Sequence, residues 1–228
     1  MGHVIETFSS QGQAVPLDVF LPATTVKYPA VLMLHGTFGL LPQYREDIMS
    51  FGEAFASNGF AVVMPHYLES TNTPAGPSVL SVMVADLPKW FAVCADALAY
   101  MAADARFDAK RLGVLGFSLG GHLALEVAMT PPTSASVKAV VDFFGPTTSV
   151  ALPNRWGQLP PVLIIHGADD SLVFISDSEY AVAQLKAAAK IEGRDYVFKP
   201  VKGQGHGFKG LALTESRDDA VAFFKKQL

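Results

Sequence analysis

Short apolar runs alternate along this chain with segments of helical periodicity, and this alternation constrains the fold more than any other feature. Such runs, when they are rich in aliphatic and aromatic residues, are typical of strands that are covered on both faces. They lie at residues 30–34, 61–64, 112–115, 139–144 and 162–165, with a weaker run at 196–201. Helical patterns lie at residues 44–58, 87–103, 119–129, 177–191 and 214–226. The alternation predicts an α/β fold with a mostly parallel central sheet and helices on both faces.

Composition indicates one domain over residues 1–228. Of these residues 50% are hydrophobic and 17% are charged, which allows a sizeable buried core. Two extended segments, residues 4–8 and 15–21, precede the alternating pattern, and the second ends at Pro22 as an edge strand would. Residues 71–78 are rich in Pro, Gly and Thr, and we interpret them as a surface loop.

Charge and cysteine content argue against several function classes. The 17 basic and 21 acidic residues give a formal net charge of −4 without a basic stripe, so nucleic-acid binding is not expected. The longest apolar runs are too short to cross a bilayer, so no membrane interaction is expected. The start of the chain lacks a secretory pattern and Cys94 is the single cysteine, so we expect a reduced, cytoplasmic protein.

A serine between glycines stands at the junction of the 112–115 run and the 119–129 helical pattern. The stretch GFSLG at residues 116–120 matches G-x-S-x-G in the strand–turn–helix setting of a nucleophile elbow. A turn this tight holds its central residue in a strained backbone conformation. The hydroxyl then projects at a helix N-terminus, where N–H groups favour developing negative charge. We therefore interpret Ser118 as a nucleophile, the alternative being a purely structural Gly-Ser turn.

A serine hydroxyl needs a base that removes its proton and an acid that orients the base. After a nucleophile elbow these groups follow in the order acid, then histidine. Asp169 and Asp170 follow the 162–165 run, and His206 lies in a glycine-rich loop after the 196–201 run. The carboxyl ends of parallel strands form the ligand-binding edge of such a sheet, so we expect these groups to converge on the serine.

Three other histidines and one further aspartate are weaker candidates for these roles. His122 lies one helical turn beyond the serine and is expected to pack behind it. His166 is too close to Asp170 in sequence to face it across a cleft, whereas His66 follows a strand and could line the cleft. Asp142 lies inside an apolar run and is less favoured as the acid than the loop aspartates.

Acyl transfer also needs two donors that face the developing oxyanion. One is the N–H of Leu119, the residue after the nucleophile. The other is expected from the loop HGTFGL at residues 35–40, whose glycines let the backbone approach the site. The N–H of Thr37 is favoured there, with that of Phe38 as the close alternative.

Motifs for other chemistries are weak in this sequence. The stretch GHGFKG at residues 205–210 has the spacing G-x-G-x-x-G, but a dinucleotide-binding turn opens a further βαβ unit with an acidic residue about 20 positions later. The 18 residues that follow, up to Leu228, do not fit that pattern. No paired-cysteine, H-E-x-x-H or P-loop pattern occurs either, so we expect no cofactor and no metal.

Together, the stretches HGTFG, GFSLGG, HGADDSLV and GHGF resemble the α/β-hydrolase superfamily and, within it, the dienelactone hydrolase family. The resemblance covers nearly the whole chain and implies an α/β-hydrolase fold. Carried over residue by residue, it implies Ser118 as nucleophile, Asp170 as acid and His206 as base. It also implies Thr37 and Leu119 as the oxyanion donors.

Two departures from that family bear on the substrate. Dienelactone hydrolases carry a cysteine nucleophile in a G-Y-C-x-G-G setting and a glutamate where Gly36 stands here. A serine relies on the histidine rather than on that glutamate, so the loss of both together is chemically consistent. The resemblance thus implies a dienelactone-hydrolase-like serine esterase acting on small carboxylic esters or lactones, without implying dienelactone as the substrate. A catalytically silent binding protein and a peptidase or thioesterase of the same fold are the alternatives.

An open, small cleft without a large cap is expected, because caps in this superfamily usually enter between the sixth and seventh strands and residues 145–161 leave little room. Lys209 could meet a substrate carboxylate, although an exposed lysine is usually only solvated. The expected partner is a small-molecule ester or lactone, and the chain is expected to be a monomer or small homo-oligomer. Five aromatic residues near strand ends are candidates for the cleft lining or, equally, for core packing: Phe38, Tyr67, Trp156, Phe174 and Phe208.

Overall fold

The computed structural model describes residues 2–23 and 27–228, which form one eight-stranded sheet with helices on both faces. The strands are β1 (Gly2–Ser10), β2 (Gln13–Leu21), β3 (Tyr28–Leu34), β4 (Ala61–Pro65), β5 (Phe107–Phe117), β6 (Val137–Phe143), β7 (Val162–Gly167) and β8 (Tyr196–Val201). They lie in the order β1-β2-β4-β3-β5-β6-β7-β8. β1 and β2 are antiparallel at one edge, and β3 to β8 are parallel. The predicted α/β-hydrolase fold with a mostly parallel sheet is therefore confirmed.

Alternating side chains of the strands pack against two separate layers of helices. The helices are α1 (Pro42–Ser57), α2 (Ser78–Ala103), α3 (Leu119–Met129), α4 (Ser176–Ala187) and α5 (Gly210–Gln227). In β3, Leu32 and Leu34 join the core that includes α2, α3 and α4. Val31 and Met33 join the opposite core, with the phenylalanines of α1 and α5. This strict alternation follows from the two-residue period of a strand.

Three helices differ from the sequence-based expectation, and one of them, α5, begins at Gly210 and not at residue 214. α2 begins at Ser78 and continues through Pro88, whereas the pattern predicted a start at residue 87. A proline disfavours a helix interior, but the buried side chain of Val79 anchors the first turn against the core. α4 ends at Ala187, before the predicted residue 191, because Ala189 adopts a left-handed φ of 60° and the chain turns back.

α2 is long and apolar enough to cross a bilayer by length and composition, with a mean hydropathy of 1.4 over its most apolar window. Asp86 and Lys89 interrupt the apolar residues of this helix, so its sequence contains no long uninterrupted apolar run. The C-terminal half of α2 packs Trp90, Cys94 and Leu98 into the core. The absence of a membrane interaction stays a prediction.

The connection from β6 to β7 leaves the carboxyl edge of the sheet open. The helical structure within residues 144–161 is limited to one 3₁₀ turn at Trp156–Gln158. Within residues 2–23 and 27–228 no large cap covers the ends of β5, β7 and β8, as the sequence predicted.

Candidate active site

Ser118 forms the turn between β5 and α3 and has a φ of 54° and a ψ of −119°. A positive φ is strained for a residue with a side chain, so the surrounding structure must hold it. The Ser118 N–H donates to the carbonyl of Phe143 at 2.9 Å. Close backbone packing also requires glycine nearby: a Cβ on Gly120 would lie 2.1 Å from the carbonyl oxygen of Leu34. The tight turn and the glycine packing therefore place the Ser118 hydroxyl at the carboxyl edge of the sheet.

His206 lies between Ser118 and Asp170. Its Nε2 is 2.9 Å from Ser118 Oγ, and its Nδ1 is 2.8 Å from Asp170 Oδ2. The Asp170 carboxylate is buried and the His206 side chain is 14% exposed. When Nδ1–H donates to the carboxylate, Nε2 is left to accept the serine proton. The structure therefore brings the three residues that the sequence singled out into one hydrogen-bonded line.

The Asp170 carboxylate is held ionised by several donors. The N–H groups of Leu172 and Val173 donate to Oδ1 at 2.9 and 3.1 Å, and Nε2 of His166 lies 3.4 Å from Oδ2. Burial alone would raise the pKa of Asp170, but hydrogen bonds from His166, His206 and Leu172 outweigh it and hold the pKa well below its usual range. The residues alone left Asp169 and Asp170 as alternatives, and the structure shows Asp169 exposed at the surface.

A second imidazole on Asp170 is a contact that sequence spacing did not indicate. His166 is buried, with Nδ1 2.6 Å from Ser178 Oγ and Nε2 2.9 Å from the carbonyl oxygen of Val173. It approaches Asp170 from the end of β7, four residues earlier in the chain, and not from across the cleft. His166 therefore supports the carboxylate from behind.

The loop after β3 lies against the serine and presents free backbone donors. A Cβ on Gly36 would lie 3.2 Å from the Cβ of Ser118. The N–H groups of Thr37 and Phe38 donate to no acceptor in the described part of the chain. Leu119 is the first residue of α3, so its N–H has no acceptor within the helix. These donors suit a developing oxyanion, and either Thr37 or Phe38 can supply the second one.

The other candidate residues have partners away from the serine. His122 is buried on α3, with Nδ1 2.9 Å from the carbonyl oxygen of Pro146. The Nε2 of His66 lies 2.7 Å from Asp18 Oδ2, at the β2 side of the sheet.

Asp142 is buried beneath the elbow and does not contact His206. Its Oδ1 accepts a hydrogen bond from the Gly145 N–H at 2.9 Å, and a Cβ on Gly121 would lie 2.3 Å from that same oxygen. Its Oδ2 has no hydrogen-bond partner among the described residues. Burial raises the pKa of Asp142 to about 7, and its contact with the Gly145 N–H offsets this only in part.

A cavity of about 120 Å³ opens beside Ser118 and His206. Phe38 and Phe208, which the sequence proposed, both line it. Most of the remaining wall is apolar and comes from α1, the ends of β5 and β6, and the start of α5. The sequence did not single out these apolar residues: Tyr44, Ile48, Phe51, Phe117, Phe143, Phe144 and Leu213.

Three of the aromatic residues expected near the cleft lie elsewhere. Tyr67 is fully buried, and its hydroxyl donates to the carbonyl of His35. Trp156 is buried and packs edge-on against Tyr180 of α4, with ring centroids 6.3 Å apart. Phe174 is 63% exposed on the outer surface. The expectation that Tyr67, Trp156 and Phe174 line the pocket is therefore wrong, because the turns after the strands direct these rings into the core or into solvent.

Lys209 lies at the cavity wall and forms an ion pair with Asp47 of α1.

No three His, Cys, Asp or Glu side chains within residues 2–23 and 27–228 are arranged to hold a metal ion.

Comparisons with known proteins identify the family and the fold of this chain. The model of the dienelactone hydrolase family matches residues 17–222. Cutinase est1 of Thermobifida alba is 32% identical over 154 residues, which are 64% of this chain and 45% of the cutinase, so the chain spans about half the length of that relative. Among solved structures, a putative dienelactone hydrolase from Klebsiella pneumoniae subsp. pneumoniae MGH 78578 has a TM-score of 0.79 at 20% identity, over 99% of both chains. An esterase from Pyrobaculum calidifontis has a TM-score of 0.76 at 21% identity, over 99% of this chain and 85% of that one. At these identities the two structures show a shared fold.

Proposed function

The chain belongs to the dienelactone hydrolase family, and we propose that it is a serine hydrolase that cleaves small carboxylic esters or lactones through an acyl-enzyme. The observation that carries this proposal is the position of His206, whose Nε2 lies 2.9 Å from Ser118 Oγ while its Nδ1 lies 2.8 Å from Asp170. The similarity to a cutinase and the fold shared with an esterase support the same reaction class.

Acylation begins with a proton transfer. His206 Nε2 accepts the proton of Ser118 as Oγ forms a bond to the carbonyl carbon of the ester. The Leu119 N–H and that of Thr37 or Phe38 hold the resulting oxyanion. The bond to the alcohol oxygen then breaks, and His206 returns its proton to that oxygen. In a lactone the alcohol remains attached to the acyl group.

Deacylation repeats these steps with water in place of the serine. His206 removes a proton from the water as its oxygen bonds to the acyl carbon, and the same donors hold the second oxyanion. The bond to Ser118 Oγ breaks and His206 returns the proton to the serine. Asp170 stays ionised throughout, orients the ring and stabilises the imidazolium. Its low pKa supports this role.

The size of the cavity supports small substrates. A volume of about 120 Å³ is slightly smaller than the roughly 150 Å³ apolar cavity known to hold benzene. The uncapped edge of the sheet gives access to short esters and to lactones.

Location and assembly are part of the proposal. The single cysteine, Cys94, is buried in the core, which supports a reducing, cytoplasmic location without disulfides. We propose a monomer or small homo-oligomer, which light scattering on the purified protein would measure.

Replacement of the serine tests the function. Ser118→Ala should lower kcat for 4-nitrophenyl butyrate by about a thousandfold or more, because no other hydroxyl among the described residues is aligned with His206. Ser81→Ala is a matched control on an exposed face of α2 and should keep full activity. Circular dichroism should show both variants folded. Hydrolysis by folded Ser118→Ala at the wild-type rate would contradict the proposal.

A further inference from the structure

Two charged residues, Asp47 and Lys209, lie in the wall of the cavity beside Ser118. Asp47 projects from α1 and Lys209 from the loop before α5, and the two form an ion pair. Among the described lining residues they are the remaining ionic side chains, and most others are aromatic or aliphatic. The chemistry of this pair therefore decides which charge a substrate group can carry into the cavity.

Among the described lining residues, this ion pair leaves no unpaired lysine or arginine to attract an anion. Lys209 is 70% exposed, whereas Asp47 is 33% exposed and thus the more fixed of the two charges. Surface ion pairs are weak, so the lysine can leave its partner. Even then the carboxylate of Asp47 stays at the wall and cancels the attraction that Lys209 would exert on an anion. A substrate carboxylate that entered the cavity would lose its hydration and would not gain a compensating ion pair.

The apolar wall favours a different occupant. Phe51 and Phe117 contact each other edge-to-face, with ring centroids 4.9 Å apart, and Phe144 lies against Phe208 at 5.5 Å. Such a wall gains free energy by covering an uncharged group of phenyl or short alkyl size.

We propose that Asp47 is a specificity-determining residue that neutralises Lys209 and so restricts this cavity to uncharged, apolar groups of the substrate. The proposal rests on the esterase function proposed above and deepens it. The sequence suggested that Lys209 could bind a substrate carboxylate. Lys209 does lie at the cavity wall, but its ammonium group is already paired with the carboxylate of Asp47.

Two pairs of esters of matched size test the charge preference. In the acyl pair, 4-nitrophenyl hexanoate is compared with the 4-nitrophenyl monoester of adipic acid, whose chain ends in a carboxylate. In the alcohol pair, 4-methylphenyl butyrate is compared with 4-carboxyphenyl butyrate. The measured quantity is the ratio of kcat/KM for the anionic ester to kcat/KM for the neutral one.

Asp47→Asn should raise that ratio about tenfold in at least one pair at low salt, because it leaves Lys209 uncompensated, and the gain should shrink at high ionic strength. The double variant Asp47→Asn/Lys209→Met should return the ratio close to the wild-type value. Glu46→Gln removes the same charge from an exposed position one residue earlier on α1 and should change the ratio by less than about twofold.

The outcomes separate the two proposals. If wild-type protein hydrolyses the neutral esters but Asp47→Asn leaves both ratios within about twofold of wild type, the specificity inference is wrong and the esterase proposal stands. If the wild-type protein hydrolyses none of the four esters, the esterase proposal falls, and the specificity inference falls with it.

Discussion

The hydroxyl of Tyr67 donates to the carbonyl oxygen of His35 at 2.6 Å, and its ring stacks on the His35 imidazole with centroids 4.3 Å apart. Burial lowers the pKa of His35 to about 4, so that imidazole is neutral and its Nδ1 can donate to the carbonyl of Gly36 at 2.9 Å. The loop that begins there carries the free N–H groups of Thr37 and Phe38. Tyr67 therefore contacts the candidate oxyanion loop from behind and lies outside the lining of the cavity beside Ser118.

Tyr67→Phe should lower kcat for a neutral ester about tenfold while KM changes by less than about twofold. The variant leaves the buried carbonyl of His35 without its hydrogen-bond donor, at a cost of about 1–3 kcal/mol. The oxyanion loop then holds its N–H groups less firmly, and these groups stabilise the transition state more than the bound substrate. Steady-state kinetics well below the melting temperature measure the split. Tyr100→Phe is the control, because its hydroxyl bonds to Glu6 on the edge strand β1 and Tyr100 does not line the cavity. An unchanged kcat in folded Tyr67→Phe would show that this contact serves stability alone.

Asp170→Asn should reduce kcat by about a thousandfold or more, because an amide cannot hold the His206 tautomer or stabilise the imidazolium. The neighbouring variant Asp169→Asn removes the same charge from an exposed side chain and should retain most of the activity. Stopped-flow or steady-state assays with one short ester compare the two. Equal losses in both variants would contradict the assignment of Asp170 as the acid.

Asp142 should make folding less favourable as pH rises. Its pKa is raised to about 7 in the folded chain, while an unfolded aspartate titrates near pH 3.9. Between these values the folded state keeps a proton that the unfolded state loses, so the free energy of unfolding falls with increasing pH. Asp142→Asn lacks this titration. Urea denaturation should therefore show that the free energy of unfolding of the variant, relative to that of wild type, increases by about 3 kcal/mol from pH 5 to pH 8.5. A stability difference that is constant across this range would contradict the prediction.

Gly116→Ala should destabilise the fold by several kcal/mol or prevent folding. A Cβ at this position would lie 1.9 Å from the carbonyl oxygen of Gly120, so β5 and α3 would have to separate. Gly2→Ala is the matched control, since its added Cβ would meet no atom within 4 Å. Thermal melting of both variants makes the comparison, and a melting temperature of Gly116→Ala close to wild type would be inconsistent with the packing at the elbow.

The sequence predicted those parts of the site that follow directly from strand ends. Ser118 and His206 each lie just beyond an apolar run, and parallel strands bring such positions to one edge whatever the details of the loops. The choice between Asp169 and Asp170 could not be made from spacing, because adjacent residues in a tight turn point in different directions. The resemblance to a known family selected Asp170, which is the aspartate that contacts His206.

The cavity wall was harder to predict for a physical reason. An aromatic residue after a strand can face the cleft, the core or solvent, and the intervening turn decides which. Tyr67 begins a 3₁₀ turn that has no clear sequence signature, and this turn directs its ring inward. Asp47 and Phe51 lie four residues apart on α1, so they share one helix face, but the pattern did not show that this face borders the serine.

Covalent labelling of the serine is the most direct test of the central claim, that Ser118 is a nucleophile activated by His206. A fluorophosphonate probe is added to the folded protein, and the modified peptide is identified by mass spectrometry. We predict one adduct per chain, on Ser118, forming at least about a hundredfold more slowly in His206→Ala and not at all in Ser118→Ala. An adduct on a different residue, or none in a preparation that hydrolyses esters, would contradict the claim.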